Sequence, residues 1–326
     1  MKTATGEENS GPPSNRVTDS SPPSSGAVPS SPPSNGAADS SPPSSGATDS
    51  TPKNPNELGD DGKPRFPRFR VLDAMLTACR RDEAASSVVF AAQDHSARRY
   101  ACVFAVDSLL KCRDNPELAV AANESDWTFC DGMPLVLLGR HVAKLPVSRC
   151  YGPDLMLDVC DRGRAVGLRH FFYGGADEET VTLLSRNLRE RFPGLKIVGS
   201  IVPPFRNLTE DEERDVVRKI NEAAPDIAWI GIGTPKQDFW ARRMRPKLNA
   251  PVLMAVGAAF NFHAGKVPQA PRWMQRACLE WLYRLCAEPR RLWRRYIIGN
   301  PRFVLLILRQ WLTGTPGGRL CERADA

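Results

Sequence analysis

The chain has 326 residues, a formal net charge of +7 and 41% hydrophobic residues, which suffices for one large domain or two modest ones. Its longest late apolar run, residues 303–308, lies between Arg302 and Arg309 and is far shorter than the roughly 20 residues that cross a bilayer. We therefore expect no integral membrane protein. The nine cysteines show no C-x-x-C spacing, so neither a disulfide framework nor a zinc site is indicated.

Residues 1–64 form a polar repeat that holds 12 of the 29 prolines. Pro-Pro-Ser recurs at Pro12, Pro22, Pro32 and Pro42, and no copy has an apolar face for a neighbouring copy to cover. We therefore predict a disordered tail, which serves either as a spacer or as a ligand for a proline-binding domain. Because no apolar stretch follows the first charges, we expect no secretory signal and a cytoplasmic protein.

Short apolar runs alternate with helical patterns over residues 65–265. The predicted strands are residues 87–91, 101–106, 127–130, 170–173, 196–202, 227–231 and 252–256. Between them, Val181, Leu184 and Leu188 have helical spacing, and Thr209 with Glu212 predicts a capping box at a helix start. This alternation predicts an α/β domain with a mainly parallel sheet covered by helices. We expect its ligand site at the carboxyl ends of the strands.

Asp131 is the first candidate for chemistry at that edge. It directly follows the predicted strand at residues 127–130 and precedes a helical pattern over residues 135–142. A carboxylate at this position either faces a bound ligand or caps the helix, and both interpretations stay open. The next residue, Gly132, allows a ligand to approach the backbone closely.

The second candidate is the turn at residues 231–237, Gly-Ile-Gly-Thr-Pro-Lys-Gln. It is similar to the start of a phosphate-binding glycine turn, but it lacks the third glycine and the Walker Lys-Ser/Thr pair. The missing third glycine disfavours a nicotinamide oxidoreductase, which is one alternative function. No D-x-D pattern is present, so we expect no metal ion and no other cofactor.

Residues 266–326, here called the appendage, differ in character from the rest of the chain. They contain 12 Lys or Arg against 4 Asp or Glu, interleaved with seven aromatic residues. We predict a basic, helical segment. Its aromatic residues either pack on the sheet domain or, with the basic ones, meet an anionic surface. That surface is lipid headgroups or, as a second alternative function, nucleic acid.

Six sequence blocks occur in a fixed order, and together they resemble the WecG/TagA/CpsF glycosyltransferase family from about residue 69 to the C-terminus. The blocks are D-G-M-P at 131–134, R-x-x-G-P-D-L-M at 149–156, F-Y-G-G at 172–175, G-x-G-T-P-K-Q-D at 231–238, A-F-N-F-H-A-G-K-V at 259–267 and the arginine-rich run at 270–296. The resemblance implies a Rossmann-like core and an inverting glycosyltransferase. Such an enzyme moves a hexose-type sugar from a UDP-sugar to a polyprenyl-diphosphate-linked saccharide of a bacterial surface polysaccharide.

The same resemblance implies roles for individual residues. It makes Asp131 the general base. It assigns binding of the donor to Arg149, Gly233, Thr234 and Gln237. It assigns binding of the lipid diphosphate to Arg284, Arg291 and Arg294. On one continuous helix, spacings of seven and three would place these three arginines on the same side. Arginines would then compensate the diphosphate charge without a metal ion.

The chain departs from the family pattern at several positions. Ala105 and Asp107 stand where T-x-N is usual, Asp238 replaces a usual Glu, and Asn261 occupies a position where Asp is frequent. These departures leave the donor sugar open between N-acetylmannosamine, which we expect, and glucose or a uronic acid. We further expect binding to the anionic inner face of the cytoplasmic membrane and no binding of nucleic acid. The sequence leaves open whether the chain forms a homo-oligomer.

Overall fold

The computed structural model describes residues 66–313 and 323–324, so the predicted tail at residues 1–64 lies outside the described residues. Nine strands are found in this part of the chain. In order they are β1 (Arg68–Val71), β2 (Ala74–Thr77), β3 (Arg99–Phe104), β4 (Trp127–Cys130), β5 (Arg169–Gly174), β6 (Lys196–Ile201), β7 (Ile227–Gly231), β8 (Val252–Ala255) and β9 (Arg323–Ala324).

Helices connect the strands and form most of the appendage. They are α1 (Arg81–Ala92), α2 (Val106–Asp114), α3 (Pro116–Asn123), α4 (Met133–Leu137), α5 (Gly152–Ala165), α6 (Glu178–Arg191), α7 (Glu210–Ala223), α8 (Lys236–Met244), α9 (Ala259–His263), α10 (Arg272–Arg276), α11 (Glu280–Ala287), α12 (Pro289–Trp293) and α13 (Gly299–Thr313). Single π-helical turns follow α4 at Leu138–Val142 and α12 at Arg294–Ile298. Among the described helices, none combines the length and the apolar character that crossing a membrane requires.

Six strands form a parallel sheet in the order β4-β3-β8-β7-β5-β6. In the register of this sheet, Cys102 of β3 lies beside Thr128 of β4 and Ala255 of β8. Strands β3, β4 and β8 are fully buried, because helices cover both faces. The predicted α/β fold with a mainly parallel sheet and a helical C-terminal region is confirmed.

One predicted strand is wrong. Residues 87–91 belong to α1, in which the buried residues Ala84, Ala85, Val88, Ala91 and Ala92 recur at helical spacing. A short apolar run does not by itself distinguish a buried strand from the buried face of a helix. The predicted capping box at α7 is confirmed, because Thr209 and Glu212 each accept a hydrogen bond from the other's backbone N–H.

Strands β1 and β2 form an antiparallel hairpin that the sequence did not indicate. The turn contains Leu72, whose φ of 54° lies in the left-handed region that usually favours glycine or asparagine. Because the turn carries neither residue type, its sequence gave no hairpin signal. The hairpin shields the edge of the six-stranded sheet, where Thr128 N donates to Thr77 Oγ1 at 2.9 Å. A third strand, β9, pairs with β1.

The described part of the appendage packs against the sheet domain through α13. Phe303 is buried in the same apolar cluster as Leu109 and Leu110 of α2. Farther along α13, the side chain of Gln310 accepts a hydrogen bond from Leu72 N at 3.0 Å. This packing brings α11 and α12 to the carboxyl edge of the sheet, where the candidate site lies.

Candidate active site

The loops that follow the six strands of the parallel sheet line two adjoining cavities at its carboxyl edge. The larger, the aromatic cavity, has a volume of about 580 Å³, and its walls include Tyr173, Phe205, Arg206, Lys236, Phe239, Trp240 and Arg243. The smaller, the charged cavity, has a volume of about 310 Å³, and its walls include Ala105, Asp107, Lys111, Asp131, Thr234, Gln237, Arg284, Glu288, Arg291 and Arg295. Both are bordered by Gly233, Gly257, Ala258, Asn261 and Arg291, so they form one continuous cleft.

Asp131 lies at the end of β4 with its carboxylate at the wall of the charged cavity. Its backbone N–H donates to Phe104 O at 2.8 Å, which holds the loop against β3. The N-cap of α4 is Gly132, so the interpretation of Asp131 as a simple helix cap is wrong. The side chain is 24% exposed and is therefore available to a bound substrate.

The charge environment of Asp131 favours proton transfer. The pKa of its carboxyl is raised to about 6, chiefly by burial and also by the negative charge of Glu280, against the effect of Arg149 and Arg284. The carboxyl is therefore ionised at neutral pH, yet it has a higher proton affinity than an exposed aspartate. These are the properties of a general base that works near neutral pH.

Arg149 lies behind Asp131 and lines neither cavity. Its Nε donates to the backbone carbonyl of Asp131 at 2.5 Å, and its Nη2 lies 3.3 Å from Asp131 Oδ1. The remaining donors reach two appendage residues, Gln275 Oε1 at 3.0 Å and Glu280 Oε2 at 2.5 Å. Arg149 therefore supports Asp131 in this structure, and its contact with the donor stays a prediction.

The turn after β7 brings together three of the four predicted donor-binding residues, Gly233, Thr234 and Gln237. Buried Gln237 accepts from Gly233 N at 3.1 Å and donates to Thr234 Oγ1 at 3.3 Å. Lys111 Nζ donates to the carbonyl of Thr234 at 3.0 Å. The turn is thus held rigidly at the N-terminus of α8, where backbone N–H groups and the helix dipole favour an anion.

Residues 69–316 match the family model described as the Glycosyl transferase WecG/TagA/CpsF family. The chain belongs to this glycosyltransferase family. A relative from Bacillus spizizenii is 30% identical over 195 residues, which cover 60% of this chain and 73% of the relative. A relative from Bacillus subtilis is 27% identical over 206 residues, which cover 60% and 77%, respectively. Both are named N-acetylglucosaminyldiphosphoundecaprenol N-acetyl-beta-D-mannosaminyltransferase.

In this member of the WecG/TagA/CpsF family, the appendage does not form one continuous helix. The chain breaks at Glu288, with φ −135° and ψ 61°, because Pro289 cannot donate the next helical hydrogen bond. As a result Arg284, Arg291 and Arg295 line the charged cavity. Arg294 lies over the Trp293 ring, 5.3 Å from its centre, and does not line the cavity. The prediction that Arg284, Arg291 and Arg294 share one helix face is therefore wrong.

Three of the departures from the family pattern, Ala105, Asp107 and Asn261, line the charged cavity. Asp107 Oδ2 pairs with Lys111 at 2.9 Å and lies 3.5 Å from Nε of Arg295 in the appendage. Ala105 contributes only a methyl group where the family pattern has a hydroxyl. The cavity therefore has a carboxylate and an ammonium group on α2, and the acid also binds the appendage.

Asp238, another departure, is fully buried beneath the turn after β7. Burial raises the pKa of its carboxyl to about 6, against the lowering effect of the nearby Thr234, Cys102 and Lys111. It supports the turn from behind and does not line the cavities.

Sequence reasoning missed several charged residues of the site, among them Lys111 and Glu280. Lys111 had a weak signal, because it follows Asp107 by four residues on the same helix. Glu280 had none, because its partner Arg149 is 131 positions away. Over residues 66–313 and 323–324, no group of three or more His, Cys, Asp or Glu is arranged to hold a metal ion. Metal independence stays a prediction.

Proposed function

We propose that this protein is an inverting glycosyltransferase that moves a hexose-type sugar, N-acetylmannosamine, from a UDP-sugar to a polyprenyl-diphosphate-linked saccharide in surface polysaccharide synthesis. The observation that carries the proposal is the Asp131 carboxylate, which shares the wall of the charged cavity with Arg284, Arg291 and Arg295. The printed names of the two Bacillus relatives support the sugar and the lipid-linked acceptor.

The reaction needs one proton transfer and one substitution at the anomeric carbon. Asp131 accepts the proton from an acceptor hydroxyl while the oxygen of that hydroxyl forms a bond to the anomeric carbon. The bond from the carbon to the donor phosphate oxygen breaks on the opposite face, and UDP leaves with the bonding electron pair. Inversion follows because attack and departure occur on opposite faces of the sugar.

The aromatic cavity suits the nucleotide part of the donor. Tyr173 and Trp240 stack with ring centres 4.1 Å apart but are only 1% and 5% exposed, so the apolar surface for a base comes chiefly from Phe205, which is 85% exposed at the same cavity wall. Lys236 and Arg243 supply positive charge beside the N-terminus of α8. These groups compensate the charge of the departing diphosphate without a metal ion.

The charged cavity suits the diphosphate of the acceptor. Arg284 comes from α11 and Arg291 from α12, and both face the cavity that contains Asp131. Arg295 adds a third guanidinium, in the place that the sequence assigned to Arg294. Guanidinium groups bind phosphate oxygens through paired, charge-assisted hydrogen bonds.

The appendage suits attachment to the inner face of the cytoplasmic membrane, where such an acceptor is located. Its second half exposes a set of large apolar side chains, namely Trp293, Ile297, Ile298, Val304, Leu305, Leu308, Trp311 and Leu312. Side chains of this kind insert at headgroup level, and each basic residue near an anionic surface contributes about 1 kcal/mol. Binding of this type is peripheral.

The test is incubation of the purified protein with UDP-N-acetylmannosamine, UDP-glucose or a UDP-uronic acid and a lipid-diphosphate-linked N-acetylglucosamine. We expect the mass of one N-acetylmannosamine to be added to the acceptor, and we expect this transfer to persist in EDTA. Preferred transfer of another sugar would show that UDP-N-acetylmannosamine is not the donor. Loss of transfer in EDTA with recovery in Mg²⁺ would overturn metal independence. Absence of transfer from every donor, together with salt-sensitive binding to duplex DNA, would favour the nucleic-acid alternative.

A further inference from the structure

Arg149 connects the candidate base to the appendage. Its Nη2 donates to two carboxylates, Glu280 Oε2 at 2.5 Å and Asp131 Oδ1 at 3.3 Å. Its Nε donates to the backbone carbonyl of Asp131, so that donor does not reach the Asp131 carboxylate. The stronger contact of the guanidinium is therefore with Glu280, although Asp131 is the closer residue along the chain.

This division of contacts has a chemical consequence. An arginine that binds a carboxylate through two short hydrogen bonds stabilises the ionised form and makes it a poor proton acceptor. Asp131 instead has one long contact with Arg149, and its remaining oxygen surface stays free for a substrate hydroxyl. Arg149, Glu280 and Asp131 are 15%, 16% and 24% exposed, so solvent screens their interactions only in part.

Four ionisable groups act on Asp131 from the elements packed around it. Arg149 and Tyr151 come from the segment before α5, and Glu280 and Arg284 come from α11. Burial raises the pKa of Tyr151 well above its usual range, so this residue stays neutral. Glu280 is thus the one negative charge among the four that opposes the two arginines.

We propose that Glu280 is a positioning residue for the proton transfer: it holds the Arg149 guanidinium and thereby keeps the Asp131 carboxylate free to accept the proton. The inference rests on the proposed function, in which Asp131 is the base. Glu280 belongs to the appendage, so the base acquires its full proton affinity only when α11 is packed against the sheet domain. Membrane attachment and catalysis would then depend on the same segment.

A purely structural role for the pair must be distinguished from this one. Other ion pairs also join the appendage to the sheet domain, among them Arg272 with Asp154 at 2.7 Å and Arg302 with Asp114. Asp114 ends α2 and is not among the charges that act on Asp131. Asp114→Asn therefore weakens appendage packing without changing the charge near the base, which makes it the matched control.

The experiment is a titration of the full-length protein followed by carbon NMR of labelled aspartate side chains, with Asp131 assigned by its loss in Asp131→Asn. In Glu280→Gln we expect the Asp131 midpoint to fall below its value of about 6 in the unsubstituted protein, by on the order of one pH unit. Glu280→Asp keeps the negative charge, so the Asp131 midpoint should stay close to its value in the unsubstituted protein. In Asp114→Asn the midpoint should not move.

Kinetics provide a second measurement. The acidic limb of the kcat profile should move to lower pH in Glu280→Gln, and its plateau should fall several-fold, because a weaker base lowers the rate of proton transfer. The KM for the donor should change little. An unmoved Asp131 midpoint in Glu280→Gln, or an equal shift in Asp114→Asn, would overturn the inference. Failure of the proposed function gives a different result: no transfer by the unsubstituted protein, or normal turnover in Asp131→Asn.

Discussion

Asp131 is the residue on which the proposed reaction depends, because it has a free carboxylate at the wall of the charged cavity. Asp131→Asn preserves the shape of the side chain but cannot take up the proton. We expect turnover to fall by about 10²- to 10⁴-fold with UDP binding retained, as measured by transfer kinetics and calorimetry. Asp82→Asn, at an exposed aspartate of α1, is the control and should be normal. Near-normal turnover in Asp131→Asn would exclude this role.

The raised pKa of Asp131 also predicts a pH dependence. The base works only when ionised, and its pKa is about 6, so activity should be complete well above pH 6 and be lost as the pH falls through that value. The measurement is kcat/KM for transfer from about pH 3 to about pH 8.5 in roughly half-unit steps, a range that includes the usual aspartate pKa of about 3.9. An acidic limb centred near the usual aspartate pKa, well below 6, would contradict the burial effect.

At the residue level, the sequence located the candidate base but not its environment. Asp131 was recognisable because an aspartate that directly follows a buried strand lies at the ligand edge of a parallel sheet. The sequence did not show that Gly132 caps α4 or that Glu280 shares Arg149 with the base. The contact of Glu280 with Arg149 depends on side chains that are far apart in sequence and meet only after packing.

At the level of secondary structure elements, the break between α11 and α12 determines which arginines face the charged cavity. Arg291→Ala should lower turnover with the lipid-linked acceptor by about 10- to 100-fold, because a charge-assisted contact to phosphate is lost. Arg294→Ala removes the same type of side chain three residues later, outside the cavity, and should reduce turnover less than about threefold.

The comparison is made by steady-state kinetics with vesicle binding measured in parallel. Both variants lose one basic residue, so their vesicle binding should decrease equally and slightly. An equal loss of turnover in the two variants would contradict the arrangement in which Arg291 faces the charged cavity and Arg294 does not. It would favour the single helix that the spacing of Arg284, Arg291 and Arg294 predicted.

At the level of the whole molecule, the apolar face of α13 should determine membrane attachment. Replacing Leu305, Trp311 and Leu312 by Ser removes exposed apolar surface and leaves the charged cavity unchanged. We expect weaker sedimentation with anionic vesicles, and weaker still in high salt, but normal transfer to a water-soluble, short-chain acceptor.

The control for this prediction is Val166→Ser, which removes an exposed apolar side chain just after α5, outside the appendage. It should bind vesicles normally. If the triple variant also bound vesicles as well as the unsubstituted protein does, the exposed face of α13 would have another role.

The order and type of most elements follow from the sequence alone, because apolar periodicity and capping are local properties. Residues 127–130 and 227–231 were predicted as the strands that the structure contains, and the helix that begins after Thr209 has its predicted cap. Residues 87–91 were mistaken for a strand, because a run of five residues is too short to show a helical period. The β1–β2 hairpin was missed because Leu72 occupies a turn position that is usually glycine or asparagine, the residues by which such a turn is recognised in a sequence.

Two sequence properties thus identified the family and placed Asp131: the linear order of six sequence blocks and the position of an acid after a strand. Only the tertiary structure showed that Arg149 lies behind the base, that Glu280 holds it, and that Arg295 joins Asp107 at the charged cavity. The physical reason is that the proton affinity of a partly buried carboxyl is determined by its loss of solvent and by the charges packed around it. Those charges come from α11 and the segment before α5, which no local pattern connects.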